Sequence, residues 1–303
     1  MKSARVQLTD KGPEFSRLAL GLWRLAAWDM TTADIVRLIE DCLELGITTF
    51  DHADIYGSYT CERIFGAALK EAPRLRDNMQ LVTKCGIKLI SENRPDHAVK
   101  HYDTSAAHIV ASAENSLRAL NTDRIELLLI HRPDPFMDPD QVAEAFSELS
   151  ASGKVLHFGV SNFTPSQFEL LASRVGVPLV TNQIEFSVMH VEPLFDGTID
   201  TCQRHRVAPM AWSPLGGGKL FRGEDERAAR LRSVLTEIGQ SHGGKPIDQV
   251  ALAWLLRHPA GTVPVLGTGK LERVRSAVEA EAIELSREQW FTILAASRGE
   301  DVP

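Results

Sequence analysis

The chain has 303 residues, 44% of them hydrophobic and 24% charged, and its formal net charge is −7. This near-average composition excludes collagen-like, disordered and disulfide-scaffold proteins, and the mild acidity argues against nucleic acid or an anionic membrane surface as a partner. The four cysteines are scattered without a CxxC motif or a zinc-like spacing, so we expect no metal site. There is neither a signal peptide nor an apolar run of about 18 residues, and we therefore expect a soluble cytoplasmic protein.

Short apolar runs alternate with longer amphipathic stretches along the whole chain. The apolar runs predict strands at 18–23, 48–53, 81–85, 125–131, 155–161, 179–186, 208–213 and 263–267. The amphipathic stretches predict helices at 32–45, 61–71, 105–120, 139–151, 165–175, 194–206, 247–257 and 271–282. Start signals such as Thr164 followed by Pro165, and stop signals such as Gly46 and Gly153, support these boundaries.

Eight strand–helix units predict an α/β fold in which a parallel sheet is covered by helices, because strands such as 127–130 are apolar on both faces. Eight strands close a (β/α)8 TIM barrel, which reaches about 250 residues or more as one domain. A doubly wound open sheet is the alternative, but no GxGxxG motif follows the first strand. We expect a single domain over 1–303, since no linker divides the chain.

Three segments fall outside the eight units. Residues 5–18 predict an N-terminal β-hairpin, turned at 10–13, that closes the floor of the barrel. Residues 223–243 are charged with helical spacing and predict an extra helix before the eighth strand. Residues 286–298 predict an additional amphipathic helix at the C-terminus.

Function in such a barrel lies at the carboxyl ends of the strands. Asp51 and Tyr56 lie at and after the end of the second strand. Lys84 and His131 end the third and fourth strands, so the four side chains are expected to converge. Each has an ordinary interpretation by itself, as a cap, a turn aromatic or a core histidine. Lys84 is the hardest to dismiss, because a lysine near the barrel mouth is costly unless it is paired.

Together the four groups fit the reduction of a carbonyl. A tyrosine hydroxyl has a pKa of about 10, and a neighbouring ammonium is expected to lower that pKa so that the hydroxyl exchanges its proton more readily. A carboxylate makes the buried ammonium tolerable, and a histidine can orient a carbonyl oxygen or relay the proton. Acyl transfer is not expected, because the chain has no GxSxG motif and Cys85 lacks an obvious triad partner.

Four further strand ends predict a cofactor site. Residues 267–273 follow the eighth strand with two glycines, a hydroxyl, Lys270 and Arg273 at a helix N-terminus, which is typical of an anion site. Strand seven ends in Trp212 and a glycine loop, 216–218. Strands five and six end in amides and a hydroxyl that can bond a carboxamide. The ordinary alternatives are a tight turn, a core tryptophan and helix caps.

With these residues in place, the chain resembles the aldo-keto reductase family over nearly its whole length. The resemblance is carried by the segments 50–57, 83–84, 128–134, 159–163, 182–183 and 212–216, whose order and spacing agree throughout. It is most similar to a bacterial branch whose members share the sequences His-Ala-Asp-Ile-Tyr-Gly and Ser-Asn-Phe-Thr-Pro. The resemblance implies a catalytic tetrad of Asp51, Tyr56, Lys84 and His131, with Tyr56 as the proton donor.

The resemblance also implies NADPH or NADP+ lying extended across the barrel mouth without a Rossmann fold. The implied cofactor-binding residues are Gly21, Leu22, Trp23, Asp51, Ser161, Asn162, Gln183, Trp212, Ser213, Pro214, Leu215, Gly216, Gly217, Gly267, Thr268, Gly269, Lys270 and Arg273. The implied substrate-binding residues are Trp23, Ile55, Tyr56, His131 and Arg132. Two departures from the family pattern are Leu22, where many relatives carry threonine, and Ser276-Ala277, where relatives often carry Glu-Asn.

The leading interpretation is an NADPH-dependent reductase of a small-molecule aldehyde or ketone, as a monomer or weak homo-oligomer. The alternatives are an NADP-binding regulatory subunit with little catalytic activity and a Schiff-base aldolase barrel that uses Lys84. Parts of the loop 88–104 are expected to wall the substrate pocket.

Overall fold

The computed structural model describes residues 1–301. Its strands are, in chain order, β1 (Arg5–Gln7), β2 (Glu14–Ser16), β3 (Ala19–Gly21), β4 (Thr49–Asp51), β5 (Gln80–Cys85), β6 (Ile87–Lys88), β7 (His101–Tyr102), β8 (Ile125–Ile130), β9 (Val155–Ser161), β10 (Leu179–Glu185), β11 (Met210–Trp212) and β12 (Val263–Leu266). Eight of them form one closed barrel in the order β3-β4-β5-β8-β9-β10-β11-β12, and every pair is parallel. The closed barrel confirms the predicted fold class and excludes the open sheet.

The helices form the outer layer. They are α1 (Thr32–Glu44), α2 (Cys61–Glu71), α3 (Ala106–Ala119), α4 (Pro139–Ala151), α5 (Pro165–Ala172), α6 (Thr198–Arg204), α7 (Lys219–Arg222), α8 (Glu226–Ser241), α9 (Ile247–Arg257), α10 (Leu271–Glu279) and α11 (Arg287–Arg298). Their buried faces are those predicted from periodicity; in α1, for example, Ile35, Leu38, Ile39 and Cys42 are buried. Gly66 allows α2 to approach α3 closely, because a Cβ at this position would lie 1.9 Å from the Ala119 carbonyl oxygen.

The predicted N-terminal hairpin is present and closes the floor of the barrel. β1 and β2 pair antiparallel with Val6 opposite Phe15. The side chains of Leu8 and Phe15 are fully buried in one cluster with inward-facing barrel residues such as Leu127 and Met210. The apolar interior is thereby shielded from water at this end, which leaves the opposite, carboxyl end as the open mouth.

Both predicted extra helices are also present. α8 precedes the eighth barrel strand, and α11 begins after a capping box at Ser286. Two tryptophans fasten α11 to α9: the rings of Trp254 and Trp290 stack with centroids 4.9 Å apart and an interplanar angle of 9°. Each indole N–H donates to the other residue's carbonyl oxygen, at 3.0 and 3.1 Å. These bonds satisfy both buried indole donors.

One local prediction is corrected by the structure. The single helix predicted at 194–206 is a 3-10 turn, Glu192–Leu194, followed by α6, because Gly197 takes a left-handed backbone conformation with φ of +86° that interrupts the helix. The ends of the loop 88–104 are joined by a short antiparallel ladder, in which β6 and β7 pair with Ile87 opposite Tyr102. No helix within residues 1–301 is long and apolar enough to cross a membrane.

Candidate active site

The barrel brings the four predicted catalytic side chains to one point. Asp51 is the last residue of β4, Lys84 lies near the end of β5, and His131 directly follows β8. β4, β5 and β8 are neighbours in the barrel, so their carboxyl ends lie side by side. Tyr56 reaches the same point from the loop between β4 and α2. The predicted convergence of these side chains is therefore observed.

Lys84 is the centre of the cluster, and its side chain is fully buried. Its ammonium donates to both oxygens of Asp51, at 2.9 and 2.8 Å, and to the His52 carbonyl oxygen at 2.7 Å. A further contact of 3.0 Å joins it to the hydroxyl of Tyr56. Burial lowers the pKa of Lys84, but the charge of Asp51 and the contact with Tyr56 outweigh burial and raise it above its usual value. The lysine is therefore a permanent cation beside the phenol.

The pKa of Tyr56 itself differs from the prediction. Removal from water raises the pKa of the phenol, and the charge of Asp51 raises it further, while Lys84 and Arg132 lower it; the net direction is upward. The predicted net acidification by Lys84 is therefore wrong, because burial exceeds the effect of the cation. The hydroxyl holds its proton at neutral pH, and Lys84 limits how far the pKa rises.

His131 completes the cluster as a neutral imidazole. Its ring lies edge-on to that of Tyr56 with centroids 5.8 Å apart. Burial, followed by the charges of Lys84 and Arg132, holds the pKa of His131 well below its usual range. Its Nδ1 is buried without a hydrogen-bond partner. A neutral imidazole keeps one N–H, which can donate to a carbonyl oxygen.

The backbone after Tyr56 is held in an unusual conformation. Gly57, Ser58 and Tyr59 all have positive φ, of +56°, +53° and +69°. Left-handed backbone costs about 1–3 kcal/mol at a non-glycine residue, so the surrounding structure must hold it in place. The loop 88–104 does so: the Leu89 N–H donates to the Tyr59 hydroxyl at 2.8 Å, and the Asn93 amide donates to the Ser58 carbonyl oxygen at 2.8 Å. These contacts fix the turn that positions Tyr56.

The predicted amide residues form a chain of hydrogen bonds across the mouth. The Gln183 amide donates to Asp51 at 2.8 Å, a link to the tetrad that we did not predict. The Ser161 hydroxyl donates to the Gln183 carbonyl oxygen at 2.8 Å, and the Asn162 amide donates to the Ser161 hydroxyl at 2.7 Å. The Trp212 indole then donates to the side-chain Oδ1 of Asn162 at 2.9 Å, so the ring is fixed at the mouth.

The predicted anion site is open at Gly267, whereas a Cβ added at Gly269 would lie 2.8 Å from the ring of Trp28. A Cβ added at Gly267 would meet no atom within 4 Å, and Gly217 would meet only the Ser213 hydroxyl at 3.9 Å. Lys270 caps α10 and Arg273 lies in its first turn, and both are exposed. Neither cation has a carboxylate partner within residues 1–301. Free backbone N–H groups at a helix start and two unpaired cations suit the phosphates of a dinucleotide.

The remaining predicted residues lie around the same mouth in different degrees of exposure. Trp23 is 62% exposed, and Leu22 is buried with its N–H donating to the Asp51 carbonyl oxygen at 2.9 Å. Arg132 lies over the ring of Trp212 with its guanidinium carbon 5.6 Å from the centroid. The other predicted members, all in loops or strand ends at this edge, are Gly21, Ile55, Ser213, Pro214, Leu215, Gly216, Thr268 and Gly269.

Sequence reasoning missed a second buried acid behind the tetrad. Glu62 of α2 accepts from the hydroxyls of Thr83, at 2.6 Å, and Ser116, at 3.0 Å. Thr83 precedes Lys84 on β5, so Glu62 ties α2 and α3 to the strand that presents the lysine. The sequence gives no signal for this role, since an acid in the first turn of a helix is ordinary.

Comparison with known proteins identifies the family. The model of the Aldo/keto reductase family matches residues 17–298. The chain belongs to that family. It is 52% identical over 299 residues to the oxidoreductase YdhF of Escherichia coli, with 99% of each chain covered, which confirms the predicted bacterial branch.

Other members of the aldo/keto reductase family are also similar to this chain over nearly its whole length. The chain is 48% identical over 299 residues to the 6-dehydroglucose reductase of Agrobacterium fabrum, covering 98% of this chain and 99% of that one. The crystal structure of the thermostable aldo-keto reductase Tm1743 in complex with the inhibitor epalrestat has a TM-score of 0.82 and 28% identity, covering 97% of this chain and 99% of that one. The chain is therefore an oxidoreductase of a family that reduces carbonyls with a nicotinamide cofactor.

Proposed function

We propose that this protein reduces an aldehyde or ketone to an alcohol with NADPH, and that Tyr56 donates the proton. The observation that supports this most strongly is the contact between the Tyr56 hydroxyl and the fully buried ammonium of Lys84, at 3.0 Å. A bound nicotinamide supplies the hydride. Ser161, Asn162, Gln183 and Trp212 would hold its ring end, and Lys270 with Arg273 would hold the phosphate on its adenosine.

Each residue of the tetrad then has its own role in proton transfer. Tyr56 enters the reaction protonated, because its pKa is raised, and its O–H can donate to the carbonyl oxygen of a substrate at the mouth. Lys84 stabilises the phenolate that proton donation leaves behind, and Asp51 keeps Lys84 charged. His131 is neutral and can orient the carbonyl oxygen with its N–H.

The charge state of Lys84 argues against the aldolase alternative. A lysine that forms a Schiff base must be deprotonated to attack a carbonyl, so its pKa must be lowered. The pKa of Lys84 is raised instead, and three oxygen partners from Asp51 and His52 occupy the ammonium. Borohydride treatment with an aldehyde is therefore expected to leave Lys84 unmodified.

The choice of NADPH rests on the two exposed cations at α10. A 2'-phosphate makes charge-assisted hydrogen bonds with an ammonium and a guanidinium that a ribose hydroxyl does not match. Changing Lys270 and Arg273 together to alanine should weaken NADPH binding far more than NADH binding, measured by titration of each cofactor. The single change Arg287→Ala, at an exposed arginine of α11, is the matched control. Equal losses for both cofactors would place the phosphate elsewhere.

For the substrate we propose a sugar-derived aldehyde. Two relatives named 6-dehydroglucose reductase are 48% and 36% identical to this chain over 299 and 303 residues. The groups around the mouth fit a polyhydroxylated substrate, because Arg132 and the imidazole N–H of His131 can donate hydrogen bonds to its hydroxyls. This choice is tested by comparing kcat/KM across a panel of sugar aldehydes, aliphatic aldehydes of the same length, and ketones. Aliphatic aldehydes with the same kcat/KM as the sugar aldehydes would contradict it.

Tyr56→Phe tests the reaction itself and separates an enzyme from a non-catalytic cofactor-binding subunit. The variant loses only the hydroxyl, so NADPH binding should persist while carbonyl-dependent oxidation of NADPH falls by about 10²-fold or more. Tyr102→Phe, at a phenol of β7 that is 37% exposed, removes a hydroxyl away from the tetrad and serves as the control. A wild-type protein that binds NADPH but oxidises it with no member of the panel would favour the regulatory subunit.

A further inference from the structure

A cavity lies outside the barrel, close to the tetrad but separate from it. It has a volume of about 480 Å³ and is enclosed by α2, α3 and the loop 88–104. None of its lining residues belongs to the tetrad or to the predicted cofactor set. Its volume lies in the range typical of small-molecule sites, about 300–1,000 Å³. The loop therefore forms a wall of this cavity, in addition to supporting the turn after Tyr56.

Cations dominate the charged groups of this cavity. Arg63, Lys88, Arg94 and Arg118 all line it. Lys88 pairs with Asp103 at 3.4 Å. The other three have no carboxylate within 4.0 Å anywhere in residues 1–301. Unpaired arginines gathered around one opening favour an anionic ligand.

Two carboxyl groups line the same cavity, and one of them lacks a partner. The oxygens of Glu62 accept from Thr83 and Ser116. The Oδ1 atom of Asp54 is buried and has no hydrogen-bond partner. Burial, and then the charge of Glu62, raises the pKa of Asp54 well above its usual range, and burial raises the pKa of Glu62 as well. The two acids therefore offset less of the positive charge than ionised carboxylates would, and Asp54 is left to bond a ligand hydroxyl.

The wall of the cavity is organised by contacts among its own residues. The guanidinium of Arg94 lies over the ring of Tyr59, 4.5 Å from the centroid. The Tyr59 hydroxyl accepts from the Leu89 N–H, and its own proton is free to donate. Nδ1 of His97 lies 2.9 Å from the Leu89 carbonyl oxygen, and its ring is 6.1 Å from that of Tyr59. Arg94 is thus held in place before any ligand binds, which reduces the entropy lost on binding.

We propose that this cavity is a second small-molecule site that binds a hydroxylated anion. Arg94 holds the anionic group together with Arg63 and Arg118, and the unpartnered oxygen of Asp54 bonds a hydroxyl. The ligand class is a sugar-sized compound that carries a phosphate or a carboxylate. This inference concerns binding alone and does not depend on the proposed reaction.

Calorimetric titration of the protein saturated with NADP+ tests the site, because NADP+ bound as proposed above would cover the phosphate position at α10. The probes are glucose 6-phosphate and gluconate, which carry the two anionic groups, with uncharged glucose as the reference. We expect at least one of the two anions to bind at least tenfold more tightly than glucose. Arg94→Gln should weaken anion binding about tenfold or more, since hydrogen bonds to charged groups are among the strongest in proteins.

Two further variants and one spectroscopic measurement locate the ligand. Arg118 lies on the exposed face of α3, and Arg118→Gln should also weaken anion binding. Arg287→Gln, on α11, should leave anion binding unchanged. The histidine ring signals of His97 and His108, which both line the cavity, should shift on titration in NMR spectra. No binding of either anion, glucose binding as tight as that of the anions, or equal affinity in the Arg94, Arg118 and Arg287 variants would overturn the proposal.

Discussion

Lys84→Met is the change that tests the tetrad most directly. Methionine is close in length to lysine but removes the ammonium and its contacts with Asp51, the His52 carbonyl and Tyr56. Asp51 is 2% exposed and would keep only the Gln183 amide as a side-chain donor. Removing one partner of a buried ion pair costs about 3–5 kcal/mol, so the free energy of unfolding should fall by that amount.

The catalytic loss has a separate cause. Lys84 is the largest influence that lowers the pKa of Tyr56, and without it burial and Asp51 raise that pKa further. The phenolate left after proton donation also loses its cation. Because positioned acid–base catalysis contributes about 10²- to 10⁴-fold, we expect a loss of that size in the rate of hydride transfer.

Single-turnover oxidation of NADPH with a saturating aldehyde measures this rate, at a temperature where denaturant melts show both proteins folded. NADPH affinity, followed by quenching of tryptophan fluorescence, should change little, because Lys84 is not in the predicted cofactor set. Lys70→Met, on the exposed face of α2, is the control. A Lys84→Met enzyme that keeps its rate within a few-fold would refute the role assigned to the ammonium.

Three further outcomes follow from the structure. The pH profile of kcat/KM for reduction should show no inflection near 6.5 from His131, because the pKa of its imidazole lies well below that value; an inflection there that disappears in His131→Asn would contradict this. Trp290→Phe should lower the free energy of unfolding by about 1–3 kcal/mol, measured by urea denaturation, since the change leaves the buried Trp254 carbonyl without its donor. The pKa of Glu62 is raised in the folded state, so the folded protein binds the proton of this carboxyl more tightly than the unfolded chain does. The protonated carboxyl therefore contributes to stability below pH 4.5, and this contribution is lost as the pH rises through the folded pKa. Glu62→Gln should remove that decline in a series of melts across pH, and a decline as steep as that of the wild type would place its origin in another group.

The sequence by itself determined the elements and their order. A strand buried on both faces is apolar throughout, as Ile125–Ile130 is, and a helix packed on one face repeats its apolar residues every three to four positions, as α1 does. These are local signals, which is why all eight barrel strands lie within two residues of their predicted ends. The position of Asp51, Lys84 and His131 at strand ends then followed from one rule about parallel barrels. Local patterns were therefore enough to predict both the fold and the candidate tetrad.

Only the tertiary structure decided how the site behaves. The net pKa of Tyr56 is raised because burial outweighs the nearby cation, and burial is a property of the packed fold rather than of any short segment. The contact between Gln183 and Asp51 joins residues 132 positions apart, and Glu62 is bonded by hydroxyls from two different elements. The cavity between α2 and α3 exists because the loop 88–104, which lies between these helices in the chain, packs beside both of them. Desolvation, long-range hydrogen bonds and cavity walls all arise from residues that meet only after folding, so no local pattern could have revealed them.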